Sequence, residues 1–467
     1  MRCPTFAVPN SSPQLLTLFC MEDIPLTLCA ALFPTPGCTV SQLLSFQFPI
    51  HGTLQKNTAS SLSDFWLTES PILLDMIHIP ELCSLPLPPS TMLDELATDK
   101  NHSAATSVHY THLPASNPAK IRPYPRWILS YWVELTRLRK FAQGPWLRAE
   151  SWVNSQACKF RSLDNSCLVS SIQVLFSTLP WMGYTCGFLD PEPITKFAYY
   201  LSSRWLATSH IEQQLELFTS KITHEMPLSP FKIVSSMFLK KIVEIHCRPE
   251  EYNAERAGTR HLWAVGEELA SQIHHQTTLC GIFNVDNSHW VTVIVDTKEG
   301  SILYGDSLRG WNHDILDALQ WWIKVYVHGK NFNCQRLMIG QQTDSVSCAL
   351  FAVNALVHFI TPLCSLLSQV DVVTQHLQWF KDACTHDSNA VSQSMFILIT
   401  PPTLCCSTTS LTPPNFLNEI SQYSRTIKWT TFLCIIQENN LLISRSSMIW
   451  NHTNFANISS FPPALPL

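Results

Sequence analysis

Cys348 ends the polar half of GQQTDSVSCALFAVNAL (340–356), where small and polar residues give way at once to an apolar segment. A thiol at that seam is placed for nucleophilic chemistry. The thiolate is the reactive form, and a free cysteine, with a pKa of ~8.5, is mostly protonated at neutral pH. A helix beginning at Cys348 would favour the negative charge through its unpaired N–H groups and its dipole. An imidazole within reach would hold the proton and later pass it to a leaving group. His289, in NSHWVTVIVD, opens a strand-like run and can project from the end of a sheet. Asp306, in YGDSLRG, follows seventeen residues later at the end of the next strand-like run. A carboxylate there could accept from the imidazole Nδ1–H and fix its tautomer. Gln342 and Gln341 both precede Cys348 on the polar loop, and either amide could donate to an oxyanion beside the Cys348 N–H. Taken singly, each residue reads more readily as structural, because the chain holds 17 cysteines and 18 histidines. Their order along the chain carries the chemistry.

The elements that must position them are legible in the middle of the chain. SHIEQQLELF (209–218) sets Ser209 three residues before Glu212, the pattern of a capping box, and repeats Ile211, Leu215 and Phe218 at helical spacing. LCGIFNV (279–285), HWVTVIVD (289–296) and SILYGDS (301–307) read as strands, with TKEG (297–300) as a hairpin turn. DILDALQWWIKVYV (314–327) reads as an amphipathic helix, followed by a short strand over 336–339 and a helix from Cys348 to Ile360. Helices flanking a small, mostly antiparallel sheet make an α+β domain, placed at 146–395. Residues 1–145, rich in Leu, Pro, Ser and Thr, show no sustained period and are expected to be largely disordered. Residues 396–467 hold no glycine, and from Pro401 they run PPTLCCSTTSLTPP, which reads as a tail.

Composition narrows the function classes. A net charge of −5 without a basic stripe argues against nucleic acid. No apolar run is long enough to span a bilayer, and the N-terminus makes a poor signal peptide. Scattered cysteines without a C-x-x-C pair, and no H-E-x-x-H, point to reduced thiols inside the cell rather than a disulfide framework or a zinc site. No metal or other cofactor is expected.

Four pieces in one order then carry a resemblance: WLATSHIEQQLELF (205–218), NSHW (287–290), GDS (305–307) and QQTDSVSC (341–348). Together they resemble the ubiquitin-like-protein proteases, the Ulp or SUMO-protease family of cysteine peptidases, in a divergent, fungal or transposon-associated form. The resemblance implies a papain-like architecture with the nucleophile at a helix N-terminus. It implies Cys348 as nucleophile, His289 as general base and acid, Asp306 as its orienter, and Gln342, six before the cysteine, as oxyanion donor. Trp205 and Trp290 match the pair that clamps a Gly-Gly tail in that family. The implied reaction is cleavage after the C-terminal Gly-Gly of a ubiquitin-like modifier, SUMO first, through a thioester acyl-enzyme. The implied location is the nucleus or cytoplasm. The sequence departs from the family pattern at Thr208 (usually acidic), Ser347 (usually Asp) and Ala349 (usually Gly). An inactive binding copy and a His-acid-Cys acyltransferase are the competing expectations.

Overall fold

The computed structural model describes residues 24–35, 37–49, 66–67, 74, 79–85, 87–98, 107–109, 123–160, 163–253, 256, 258–271, 277–327 and 331–399. All of them belong to one of two contact-defined units, Met1–Ile399. The other unit, Thr400–Leu467, lies outside the described residues, and with it nearly all of the expected C-terminal tail.

Four short helices come first: α1 (Leu26–Leu32), α2 (Val40–Ser45), α3 (Ile79–Ser84) and α4 (Ser90–Thr98). With them stands a small antiparallel sheet of β1 (Trp66–Leu67), β2 (Ser107–His109) and β3 (Pro123–Pro125). A near-continuous helical stretch follows, from α5 (Ile128–Arg137) through a π-helical segment (Leu138–Gln143) into α6 (Gly144–Ala157). The expected border at residue 145 falls inside this stretch. Leu28, Val40, Leu43, Leu82 and Trp132 lie buried in the same apolar cluster as Cys348 and Phe351. The described part of 24–145 therefore packs with the region expected to be catalytic. Short helices between prolines leave no periodic signature long enough to read, although Thr39 and Gln42 do form a reciprocal capping box on α2.

After α7 (Leu163–Thr178), α8 (Thr208–Glu225) leads into a five-stranded sheet. The sheet runs β4 (Phe231–Val234), β5 (Thr278–Val285), β6 (His289–Asp296), β7 (Ser301–Gly305) and β8 (Asn333–Arg336), in that spatial order. Helices α9 (Ser236–His246) and α10 (Arg260–Ser271) fall between β4 and β5, and α11 (His313–Tyr326) falls between β7 and β8. Helices α12 (Cys348–Ile360) and α13 (Val372–Ile399) complete the unit, so the expected end at 395 falls inside α13. The α+β class holds, but the sheet is mixed. Its two central pairings are antiparallel, whereas β4–β5 and β7–β8 are parallel. The outer strands are four residues each and reach the sheet through helical crossovers, so no hairpin signal marks them. β8 ends at Arg336, where the expected strand (336–339) begins.

Period-two alternation divides the sheet between two cores. Cys280, Ile282, Trp290 and Ile294 face α12, while Leu279, Phe283, Val291, Val293 and Val295 face α9 and α11. With both faces covered, β5 and β6 read as almost unbroken apolar runs. No helix among the described residues is long and apolar enough to cross a membrane.

The expected capping box on α8 does not form. The helix starts at Thr208, so Ser209 is already inside it, and Ala207 at the N-cap makes no side-chain bond. Glu212 turns instead to the start of α9, where Ser236 donates to it from both N (2.7 Å) and Oγ (2.5 Å).

Candidate active site

The turn before β6 sets the position of His289. Asp286 and Asn287 take positive φ values of 51° and 54°, which these two residue types tolerate better than most. Ser288 N–H donates to the Val285 carbonyl, closing the turn and pairing His289 with Val285. One strand away, β7 ends at Gly305, and Asp306 opens a turn closed by Arg309 N–H on its carbonyl at 3.0 Å. The Asp306 carboxylate folds back on that turn and accepts Leu308 N–H at 2.7 Å. Two adjacent antiparallel strands thus bring a ring and a carboxylate together. His289 Nε2 lies 2.8 Å from Asp306 Oδ1.

Asp306 does not meet the expected Nδ1–H. In the structure Nε2 faces Asp306, which leaves Nδ1 for the thiol, and His289 and Cys348 interact directly. Strand spacing fixes which residues meet but says nothing about rotation of the ring. Burial works against a charged imidazole here. The hydrogen bonds and charges of Asp306 and Cys348 outweigh it and push His289 up to about 9. Burial would also raise Asp306, but its bonds from His289, Leu308 N–H and Gly310 N–H hold it below the ordinary carboxylate range.

Cys348 is the first residue of α12, as the sequence suggested. The helix is apolar on nearly every side, and Thr292 on β6 anchors it by donating to the Ala352 carbonyl at 2.6 Å. Cys348 is 1% exposed. The loop leading to it is braced by residues outside the expected catalytic set. Asp344 Oδ1 accepts both Val346 N–H and Ser347 N–H at 2.9 Å, and its Oδ2 accepts Ser347 Oγ–H at 2.6 Å. Gln369 donates to the same carboxylate and accepts Thr343 N–H at 2.8 Å. These donors hold Asp344 below the usual carboxylate range even though burial opposes them. A Cβ on Gly340 would stand 2.0 Å from the Leu367 carbonyl, so only glycine lets that segment close on the loop. The signal available in the sequence was an aspartate in a polar loop just ahead of a helix, a residue type that gathers the backbone N–H groups two and three positions on. It also accounts for Ser347, whose hydroxyl and amide are both tied to Asp344.

The structure separates the two glutamines. Gln342 is buried; its Oε1 accepts Ser307 Oγ–H at 2.6 Å, and one Nε2 hydrogen goes to the Asp344 carbonyl at 2.9 Å. An amide nitrogen carries two hydrogens, so a second donor remains. Gln341 is exposed and accepts from Arg309 Nε at 2.6 Å. Gln342 is therefore the one locked into the loop beneath Cys348.

Trp205 and Trp290 also meet, with ring centroids 5.5 Å apart and planes 20° from parallel. Trp290 is fully buried and donates its indole N–H to the Leu206 carbonyl at 3.1 Å. The Trp205 N–H is buried without a partner. A polypeptide between two flat faces needs them roughly 7 Å apart, twice an ordinary contact distance of about 3.5 Å. The pair is thus shut upon itself rather than held open as a slot.

Residues 204–391 match the model of the Ulp1 protease family, C-terminal catalytic domain. None of the curated proteins matches the chain. Among solved structures, the C-terminal Ulp1 protease domain in complex with Smt3, the yeast ortholog of SUMO, is similar at 18% identity. That similarity covers 49% of this chain and 97% of that one, with a TM-score of 0.36. The Ulp1-like SUMO protease catalytic domain of Chaetomium thermophilum is similar at 12% identity, over 44% and 82% of the chains, with a TM-score of 0.33. The Xanthomonas campestris effector XopD bound to ubiquitin is similar at 12% identity, over 39% and 91%, with a TM-score of 0.26.

Proposed function

Residues 204–391 are a cysteine protease domain of the Ulp1 family, and on that premise we propose that the chain cleaves after the C-terminal Gly-Gly of a SUMO-type modifier, with Cys348 as nucleophile. The observation that carries the reading is the row Cys348, His289, Asp306, closed by the 2.8 Å His289–Asp306 bond and standing on the first turn of α12.

The proposed steps follow from that row. His289 holds the thiol proton, and the imidazolium is stabilised by Asp306. The Cys348 thiolate attacks the terminal glycine carbonyl, forming a C–S bond. The oxyanion is met by the remaining Gln342 Nε2–H and by the Cys348 backbone N–H. As the tetrahedral intermediate collapses, the C–N bond breaks and His289 passes its proton to the departing amine. Water, deprotonated by His289, then hydrolyses the thioester and frees the thiol. Trp205, on the irregular segment ahead of α8 and without an indole bond, is the ring that swings away to admit the tail. Trp290 stays as the fixed wall. Side chains on the tail would collide with such walls, so a diglycine is the sequence that fits.

The test is processing of a SUMO precursor extended beyond its Gly-Gly, followed by mass spectrometry, with a ubiquitin precursor in parallel. Release of the extension from the SUMO precursor with a new Gly-Gly terminus is the expected result. Cleavage of ubiquitin alone would overturn the proposed modifier, and cleavage of neither precursor by folded protein would overturn the activity.

Gln342→Ala separates an oxyanion donor from a loop brace. Steady-state kinetics on the same precursor should show kcat lower by about 10² to 10³ with little change in KM, as for loss of one oxyanion donor elsewhere. Unchanged kcat removes Gln342 from the role.

A further inference from the structure

Beside the catalytic row lies a second feature that the proposed steps do not use. A cavity of about 390 Å³ opens at the β7–β8 end of the sheet, lined by Asp306, Arg309, Arg336, Leu337, Met338 and Gln341 among others. It shares Asp306 with the row, while neither Trp205 nor Trp290 lines it. Its two guanidinium groups are held by neutral partners. Arg336 Nη1 donates to the Arg309 and Gly310 carbonyls at 3.3 Å and lies over the Trp311 ring, 5.3 Å from its centroid. Arg309, at a φ of 64°, donates Nε–H to Gln341. Neither arginine forms an ion pair among the described residues. The one carboxylate in the lining, Asp306, is already occupied by His289 and by backbone N–H groups. Two positive charges that form no ion pair, in a cavity whose one carboxylate is already bonded, are suited to an anionic ligand. Met338, also in the lining, is more than half exposed and adds an apolar contact beside the arginines.

We propose that this cavity is a subsite for the leaving group: it receives an acidic side chain of the protein whose lysine carries the modifier. The proposal rests on the function proposed above. If the modifier tail is held against Trp205 and Trp290, the polypeptide on the other side of the scissile bond must leave Cys348 by a different surface. The cavity at Asp306 is the charged surface adjoining the row. A carboxylate near the modified lysine would bridge Arg309 and Arg336, and an apolar neighbour would lie on Met338. The peptide's contribution to binding is then electrostatic and falls with salt.

The test uses the full chain and a SUMO-type modifier joined through its last glycine to two kinds of leaving group. One is a coumarin amide, which has no peptide to place in the cavity. The others are peptides linked through a lysine ε-amine, with one glutamate at successive positions around the lysine, or glutamine at all of them. The wild type should cleave at least one glutamate peptide about tenfold faster in kcat/KM than the glutamine peptide at low ionic strength. Arg336→Gln, and more completely Arg309→Gln with Arg336→Gln, should erase that preference while cleaving the coumarin amide at the wild-type rate. Arg336→Lys should restore part of it. Equal rates on all peptides, with the coumarin amide still turned over, overturn the subsite alone, as does a preference that survives the double substitution. A wild type that fails to cleave the coumarin amide overturns the function proposed above and the subsite with it.

Discussion

Cys348→Ala is expected to abolish both turnover and covalent capture by a SUMO-type modifier carrying a C-terminal electrophile. Loss of a lone nucleophile from a catalytic row costs about 10⁵ to 10⁶ in kcat, because the remaining members have nothing to activate. The capture experiment is the sharper one, since the chain offers many thiols. Cys83, Cys158, Cys167 and Cys247 are exposed, and a small alkylating agent would reach them all. Cys280 and Cys384 are fully buried, and desolvation pushes both thiols far above their ordinary range, so they stay protonated and inert. Only a probe delivered by the modifier tail discriminates. One adduct per chain, lost in Cys348→Ala, is the expected outcome. An adduct that persists in the variant would assign the chemistry to another thiol. The substitution removes one sulfur atom from a packed site, a cost of about 1 kcal/mol, so the variant should fold and melt within a few degrees of the wild type.

Part of this arrangement was legible in the sequence because it rests on local rules. Apolar runs broken by DNS and TKEG gave β5, β6 and β7 almost to the residue, and strand pairing then forces His289 and Asp306 together. The change from polar loop to apolar helix at Cys348 was equally plain. What escaped depends on tertiary contact. β4 and β8 join the sheet in parallel through helices, and nothing in four residues announces that. Asp344 looked like one polar residue among several, because its importance lies in Gln369, twenty-five positions away, and in the amides it gathers. The expected cap on α8 failed for the same reason. Glu212 had a better partner in Ser236, twenty-four residues on. The N-terminal third misled most. The helices ahead of α5 are too short to show a period, and packing rather than propensity holds them: α2 lies against α6 and α7, α1 against α3, and α4 against α5.

The second large effect concerns the charge state of the row. With His289 raised to about 9, the imidazolium is the resting form at neutral pH, partnered by Asp306 on one side and Cys348 on the other. The sign of the linkage follows. A histidine raised on folding stabilises the fold fully below its unfolded value of ~6.5, and that contribution is lost as pH climbs through about 9. Asp306, depressed on folding, contributes above its unfolded value, and its share is lost as pH falls through the depressed one. The pair therefore supports the fold most fully from just above pH ~4 to ~6.5. Activity should follow the same charge: the alkaline limb of kcat/KM should lie near 9 in the wild type, where His289 loses its proton. Asp306→Asn keeps the shape and a hydrogen-bond acceptor but removes the charge that holds the proton. Its alkaline limb should move down toward the ordinary histidine range, and kcat should fall by about 10² to 10⁴, the span of general acid–base catalysis. His289→Ala should lose turnover at every pH. Because the Asp306 contribution is electrostatic, a structural defect and a chemical one part company in the pH profile. A damaged fold lowers the whole curve, whereas loss of the carboxylate charge moves its alkaline limb. An Asp306→Asn enzyme with an unshifted limb would separate Asp306 from the proton on His289, whatever its rate.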